Sequence, residues 1–225
     1  MSAEELLATL FQAHPWHGIA PGDPEGTVNA YIEIVPSGVV KYELDKPSGH
    51  LRVDRPQRYS SLTPSLYGFI PQTYTGERVA ERCSERTDKS PMRGDGDPMD
   101  ICVLSEKEYA QGGFLLHARL VGGLRMVDGD EADDKLLAVL EQDLVFGEMR
   151  DVSQVPKGLV DRLRHYFLSY KQLPGVGARK VRIDEVYGRE EAALVLRCSI
   201  EDYRAKFGPP EERARKLREI LGGGG

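Results

Sequence analysis

The sequence predicts an α+β fold in which a small closed β-barrel is flanked by helices. Strand-like apolar runs dominate the chain from residue 31 to residue 140, whereas the long helical patterns come after residue 156. A parallel doubly wound sheet would need helices between its strands, and the sequence predicts none there. At 225 residues the chain suits a single domain, 1–225.

A short amphipathic helix is predicted at the beginning of the chain. Ser2 and Glu5 have the spacing of a capping box, and apolar side chains recur on one face up to Phe11. Residues 14–17, His-Pro-Trp-His, end this helix. Either histidine could be a metal ligand, but the sequence favours a Pro-Trp corner that packs on the barrel.

The next elements are strands over residues 31–35, 39–45 and 51–55, separated by turns that contain Pro and Gly. Their order and spacing predict a β-meander. Residues 74–94 are polar and have no sustained period, so we predict a long, mobile excursion there. The remaining predicted elements are strands over 101–104, 115–121 and 136–140, a helix from Leu159 to Tyr170, a strand over 181–186, a helix over 189–207 and a charged helical extension over 209–221.

Composition excludes several classes of protein. The net charge of −6 speaks against a general nucleic-acid or anionic-membrane surface. No span approaches the roughly 20 apolar residues of a membrane helix, and we read no signal peptide. Three cysteines without metal-ligand spacing fit a reducing cytoplasm, with Cys102 expected in the core and Cys83 expected to be exposed.

Residues 95–100, Asp-Gly-Asp-Pro-Met-Asp, are the most informative segment of the chain. Three carboxylates on a proline-stiffened turn that leads into a buried strand form a rigid group of hard oxygen ligands for cations. An ordinary solvated turn is one alternative. A calcium-binding loop is another, but that pattern fails at Met99, where a polar ligand is needed, and at Asp100, where the loop requires Gly.

A second acidic cluster, residues 128–135, also leads into an apolar run, 136–140. Two such turns at the ends of buried strands could converge on shared ions and build a two-metal site for phosphoryl chemistry. Alternation in the second strand places Lys41 and Glu43 on one face, which would suit either the wet side of a sheet or the polar wall of a cleft.

Together these pieces resemble the family I soluble inorganic pyrophosphatases over roughly residues 28–205. The matching segments are Tyr31-Ile-Glu33-Ile, Lys41-Tyr-Glu43-Leu-Asp, Val53-Asp-Arg55, Tyr67-Gly-Phe-Ile, 95–100, 128–135 and Tyr170-Lys171. The resemblance implies an OB-like five-stranded barrel and hydrolysis of diphosphate to two orthophosphates by metal-activated water. It also implies several Mg²⁺ ions per active site, with Mn²⁺ or Zn²⁺ as substitutes, and a homo-oligomer. Composition and charge add the expectation of a cytoplasmic protein that has no nucleic-acid or membrane partner.

The resemblance also implies roles for individual residues. Asp97 would be the general base. The metal ligands would be Asp95, Asp100, Asp128, Asp133 and Glu33. The groups that hold phosphate would be Lys41, Arg55, Tyr67, Lys135, Tyr170 and Lys171, with Glu43 in support. The sequence departs from the family pattern at Thr63, Leu66 and Gly129, none of which removes a primary ligand.

Three other functions stay open at this point. A metal-dependent phosphohydrolase that acts on nucleotides or polyphosphate is the nearest alternative. An OB-type oligonucleotide binder would need aromatic residues interleaved with a basic groove, and the acidic face speaks against it. A calcium-stabilised structural domain is the third alternative.

Overall fold

The computed structural model describes residues 12–87, 91–171 and 181–222. Its strands are β1 (Val28–Ile34), β2 (Val40–Leu44), β3 (Leu51–Pro56), β4 (Leu66–Phe69), β5 (Arg93–Gly94), β6 (Asp100–Leu104), β7 (Phe114–Asp128), β8 (Glu131–Ala132), β9 (Lys135–Leu140) and β10 (Val181–Gly188). Its α-helices are α1 (Glu77–Thr87), α2 (Lys157–Ser169), α3 (Arg189–Phe207) and α4 (Pro210–Gly222). The helix predicted over residues 2–11 lies outside the described residues.

Five strands form a closed ring. Their spatial order is β1, β4, β6, β9 and β7, and β7 pairs in turn with β1. All of these pairings are antiparallel except that of β6 with β9, which is parallel. The predicted α+β fold with a five-stranded barrel is therefore confirmed. β7 is the longest strand, and its second half continues beyond the ring to pair with β10.

The β2–β3 hairpin stands apart from the barrel as a two-stranded sheet. The predicted β-meander is therefore wrong, because β1 does not pair with β2. The reason is topological: β1 already has β4 on one edge and β7 on the other, so it has no free edge for a third strand. The hairpin instead contacts one end of the barrel through Leu44, whose N–H donates to the Glu33 carboxylate of β1.

The predicted excursion over residues 74–94 is also wrong, since it contains α1. Val79, Ala80 and Cys83 form a narrow, buried apolar stripe, and Ala80 and Cys83 pack against Val127 and Ala132. A stripe of three residues in a polar segment is too weak a periodic signal to detect in the sequence. Cys83 is fully buried, which corrects its predicted exposure.

The other helices and the core agree with the sequence. Helices α2, α3 and α4 occupy the predicted segments, and Cys102 is buried as expected. Trp16 is buried, its indole N–H donates to the Thr73 carbonyl (2.8 Å), and its ring meets Phe207 edge-on. Trp16 also belongs to one buried cluster with Tyr31 of β1 and Phe69 of β4, which confirms the predicted packing of the Pro-Trp corner on the barrel.

None of the described helices combines the length and apolar character that crossing a membrane requires.

Candidate active site

The two acidic turns meet at one end of the barrel because β6 and β9 are parallel neighbours. Asp100 begins β6, Lys135 begins β9, and the two residues are paired in the sheet register. Both segments therefore enter the barrel from the same side. The site lies at this end, which we call the barrel mouth.

The 95–100 turn is held rigidly by contacts with the chain that follows β4. Gly96 has a φ of +77°, which favours glycine, and its N–H donates to the Thr75 carbonyl (3.1 Å). The Asp97 N–H donates to Asp95 Oδ1 (2.9 Å), and the Met99 N–H donates to the Thr73 hydroxyl (2.9 Å). Met99 is fully buried and anchors the turn in the core.

The β2–β3 hairpin forms the opposite wall of the mouth. It brings Lys41 and Arg55 side by side, since these residues are register partners. Between them Asp54 accepts a hydrogen bond from Lys41 (2.9 Å) and contacts the Arg55 guanidinium. The Glu33 carboxylate of β1 accepts the Leu44 N–H (2.7 Å), which ties the hairpin to the barrel.

The end of α2 supplies the third side. Tyr170 follows the helix, and its ring stacks on Tyr166 with a centroid separation of 4.9 Å. The next residue, Lys171, places its ammonium 3.1 Å from Asp128 Oδ2 at the end of β7. The Lys171 ammonium thus faces the second acidic turn, residues 128–135.

All thirteen site residues predicted from the sequence line one cleft of about 320 Å³. They are Glu33, Lys41, Glu43, Arg55, Tyr67, Asp95, Asp97, Asp100, Asp128, Asp133, Lys135, Tyr170 and Lys171. Two further charged residues line the cleft, Lys46 and Glu131. In total eight carboxylates face five cationic side chains there.

The excess of carboxylates is visible in their acidity. Burial raises the pKa of Glu33 to about 8, and burial together with the nearby Asp133 raises the pKa of Asp95 to about 8. Burial and the proximity of Asp100 also raise the pKa of Asp133. Burial is the main cause of each shift, and neighbouring carboxylates raise each pKa further.

Lys135 partly compensates this charge. Its ammonium contacts both Asp100 and Asp133, and Asp100 also accepts the Tyr67 hydroxyl (2.6 Å). Although burial opposes the charged form, the two carboxylates hold the pKa of Lys135 well above its ordinary value. In the described part of the chain, no three His, Cys, Asp or Glu side chains are arranged to hold a metal ion as they stand.

The donor set nevertheless fits hard divalent cations. Carboxylate oxygens are the ligands that Mg²⁺ and Mn²⁺ prefer, and the raised pKa values of Glu33 and Asp95 report a site where added positive charge would be favourable. Asp100 and Asp133, which both contact the Lys135 ammonium, would supply carboxylate oxygens to such ions.

Sequence reasoning missed Lys46 and Glu131. The Lys46 ammonium pairs with Asp97 and lies 5.8 Å from the centre of the Trp16 ring. Glu131 pairs with Arg93, with 3.1 Å between Oε1 and Nη2. Glu131 stands inside the 128–135 cluster and could have been included with it, whereas nothing in the sequence singles out Lys46 before the hairpin is folded.

The three departures from the family pattern lie away from the cleft lining. Leu66 and Thr63 are buried, and neither lines the cleft. Gly129 has a φ of +71° and would meet no atom within 4 Å if it carried a Cβ. It therefore serves the tight turn between β7 and β8.

Comparisons with known proteins agree with this geometry. A family model described as inorganic pyrophosphatase matches residues 30–204. The inorganic pyrophosphatase of Chlamydia trachomatis is 47% identical over 196 residues, which cover 85% of this chain and 94% of that protein. The soluble inorganic pyrophosphatase of Oryza sativa is 35% identical over 208 residues, 90% of this chain and 86% of that protein.

Solved structures give the same result. The inorganic pyrophosphatase of Thermus thermophilus matches with a TM-score of 0.70 and 30% identity, covering 85% of this chain and 99% of that one. The inorganic pyrophosphatase of Helicobacter pylori matches with a TM-score of 0.68 and 32% identity, covering 83% and 98%.

Proposed function

The chain belongs to the inorganic pyrophosphatase family, whose reaction is the hydrolysis of diphosphate to two orthophosphates, and we propose that it uses Mg²⁺ and Asp97 for this reaction. The enzyme class and the substrate follow from family membership. The metal, the general base and the role of each cleft residue are proposals that rest on the chemistry of the cleft.

One observation carries the proposal: a single cleft contains eight carboxylates and five cationic side chains. Diphosphate is multiply anionic, so a nest of carboxylates would repel it unless divalent ions reversed the local sign. At an effective dielectric constant of 20, a close charge contact is worth roughly 4 kcal/mol before desolvation. Metal and cationic side chains together can therefore offset a large part of the charge on the substrate.

We assign the metal ligands to Asp95, Asp100, Asp128, Asp133 and Glu33, which line the cleft together. When bound, several Mg²⁺ ions would neutralise the substrate and lower the pKa of the attacking water. Mn²⁺ and Zn²⁺ are the expected substitutes because they also accept oxygen ligands.

Asp97 is assigned as the general base because its carboxylate is half-exposed and, among the described residues, accepts neither a backbone N–H nor a tyrosine hydroxyl. Asp95 accepts a backbone N–H, and Asp100 accepts the Tyr67 hydroxyl and contacts Lys135. The half-exposed Asp97 pairs only with Lys46 among the described residues. Asp97 can thus take the proton of the attacking water as its oxygen bonds to phosphorus and the bridging P–O bond breaks.

The cationic side chains hold the phosphates and receive the leaving group. We assign this role to Lys41, Arg55, Lys135 and Lys171, with the hydroxyls of Tyr67 and Tyr170. The leaving phosphate departs with the electron pair of the broken bond, and these cations stabilise that charge. Glu43 lies 3.9 Å from the Lys41 ammonium and supports its position.

Phosphate release tests the proposal directly. Diphosphate, ATP and tripolyphosphate would be supplied in turn, with Mg²⁺, with Ca²⁺ or with a chelator. We expect rapid release from diphosphate only with Mg²⁺ or its substitutes, and slow release from the other two. Preference for ATP would favour a nucleotide phosphohydrolase, and tight Ca²⁺ binding without turnover would favour a calcium-stabilised domain.

We also propose a homo-oligomer that works in the cytoplasm. Val39 and Val53 of the hairpin are 67% and 61% exposed, and a second copy could cover such apolar side chains. Cys83, Cys102 and Cys198 are all free, which suits a reducing compartment. Sedimentation equilibrium would give the number of subunits.

A further inference from the structure

A buried ion-pair cluster lies directly behind the turn that carries Asp133 and Lys135. Arg125 of β7 is fully buried, and its Nη1 donates to Asp134 Oδ2 at 2.8 Å. The Tyr187 hydroxyl donates to the same oxygen at 3.0 Å, and the Tyr187 ring lies 4.7 Å from the guanidinium carbon. Asp134 is therefore held by two donors that are themselves fixed in the core.

Asp134 faces away from its two neighbours in the chain. Asp133 and Lys135 line the cleft, whereas the side chain of Asp134, just before β9, is fully buried and does not line it. The Asp133 N–H also donates to the Met126 carbonyl of β7 (3.0 Å). Because adjacent side chains in an extended segment point to opposite faces, the anchoring of Asp134 sets the direction of Asp133 and Lys135.

The cluster continues to two helices. The other end of the Arg125 guanidinium contacts Glu191 in the first turn of α3, and Glu191 also accepts Arg82 Nε of α1 at 3.0 Å. Gly123 leaves room for the Tyr187 ring, since a Cβ there would lie 2.4 Å from that ring. The anchor is thus connected to rigid elements on three sides.

We propose that Asp134 and Arg125 are positioning residues for the active site, which keep Asp133 and Lys135 aimed into the cleft. The inference rests on the proposed function, in which Asp133 is a metal ligand and Lys135 holds phosphate. Stability alone is a poor reason for such a pair, because a buried ion pair can often be replaced by apolar side chains without loss of stability. Orientation of Asp133 and Lys135 is a better reason, since two donors on one oxygen fix the position of the Asp134 carboxylate. Mutation of residues that orient metal ligands typically changes metal affinity about 10- to 100-fold.

The test compares Asp134→Asn with a matched variant, Asp143→Asn. Asp143 is also buried and hydrogen-bonded, but it lies beyond the opposite ends of β6 and β9. Mg²⁺ affinity would be measured by calorimetry in the absence of substrate, and the Mg²⁺ dependence of kcat by phosphate release. Circular dichroism would confirm that each variant is folded at the assay temperature.

We expect Asp134→Asn to weaken Mg²⁺ binding, and to raise the Mg²⁺ concentration for half-maximal rate, by about tenfold. Asp143→Asn should leave both values within about twofold of wild type, even if its Tm falls as much as that of Asp134→Asn. Equal Mg²⁺ affinity in the two variants would overturn the positioning role and leave Asp134 as a structural residue.

Tyr187→Phe covers the case in which Asp134→Asn does not fold. It removes one hydrogen bond to Asp134 and keeps the ring, so we expect a two- to threefold loss of Mg²⁺ affinity. Unchanged affinity in a Tyr187→Phe variant would refute the proposal. A wild-type chain that releases no phosphate with Mg²⁺ would refute the proposed function instead, whereas an active wild type with an unaffected Asp134→Asn would refute only this inference.

Discussion

Buried aspartates stand at both ends of the barrel, and their surroundings are opposite. At the end away from the cleft, Asp143 accepts hydrogen bonds from the Ser105 hydroxyl (3.0 Å) and from three backbone N–H groups (2.8 to 2.9 Å). Although burial opposes ionisation, these donors lower the pKa of Asp143. The negative charge of Asp143 is therefore stabilised by hydrogen bonds from the protein itself.

At the barrel mouth, carboxylates outnumber the groups that could stabilise them. Burial and neighbouring negative charge raise the pKa of Asp95 to about 8, and Asp133 shifts in the same direction. The comparison shows how the same residue type can serve structure or function. A carboxylate satisfied by the fold stabilises it, whereas a group of carboxylates left in excess is suited to bind cations from solution.

The largest expected effect belongs to Asp97. Asp97→Asn keeps the shape of the side chain but removes its basicity, so kcat should fall by roughly 10²-fold or more, with little recovery at high Mg²⁺. Asp100→Asn should instead raise the Mg²⁺ requirement, and high Mg²⁺ should restore part of the rate. Asp143→Asn, at the other end, should keep the wild-type rate. Titrations of rate against Mg²⁺ concentration for the three variants measure these differences.

The assignment of Asp97 has a clear point of failure. If high Mg²⁺ restores the rate of Asp97→Asn but not that of Asp100→Asn, then Asp97 is the metal ligand and Asp100 is the general base. The pH profile gives a second check, because a variant without its base should recover some rate at higher pH, where more hydroxide forms without assistance.

A smaller effect is expected at the cationic wall. Arg55→Lys keeps the charge beside Asp54 but loses the planar fork that can donate two parallel hydrogen bonds to one phosphate. We expect kcat/KM for diphosphate to fall by about tenfold, measured by initial rates at saturating Mg²⁺. Arg52→Lys, at an exposed position of the same hairpin, is the matched control and should change kcat/KM little. Equal kinetics in both variants would make Arg55 an ordinary surface charge.

The smallest effect is a dependence of stability on pH when metal is chelated. Burial raises the pKa of Glu33 from 4.5 to about 8, so between these values the folded chain keeps a proton that the unfolded chain loses. The free energy of unfolding should therefore fall as pH rises towards 8, and the raised pKa of Asp95 acts with the same sign. We expect Tm to fall by at least about 2 °C between pH 6.5 and pH 8 in a chelator, since roughly 1 kcal/mol corresponds to a few degrees at this size.

Two controls sharpen this measurement. Glu33→Gln should flatten the slope of Tm against pH, and saturating Mg²⁺ should raise Tm more at pH 8 than at pH 6.5, because metal and protons compete for the same oxygens. A Tm that rises with pH in the chelator would mean that the carboxylates at the mouth are compensated as well as Asp143 is.

The two acidic turns and most helices could be predicted because their signals are local, whereas the other cleft residues were predicted from the resemblance to the family over residues 28–205. The 95–100 and 128–135 turns each carry their carboxylates within a few residues, and each leads into an apolar strand. The same holds for α2 and α3, whose apolar periodicity runs over many turns. Short-range patterns of this kind depend on backbone geometry alone.

Only the tertiary structure decided which distant residues share an environment. Arg82 and Glu191 lie 109 residues apart and still form a partly buried contact. Asp133 lines the cleft, whereas its neighbour Asp134 is buried against Arg125. The helix α1 and the burial of Cys83 likewise depend on the barrel surface that covers a stripe of three residues. Burial and charge pairing depend on which residues are neighbours in space. Closure of the barrel determines those neighbours, and it leaves β1 no free edge for β2.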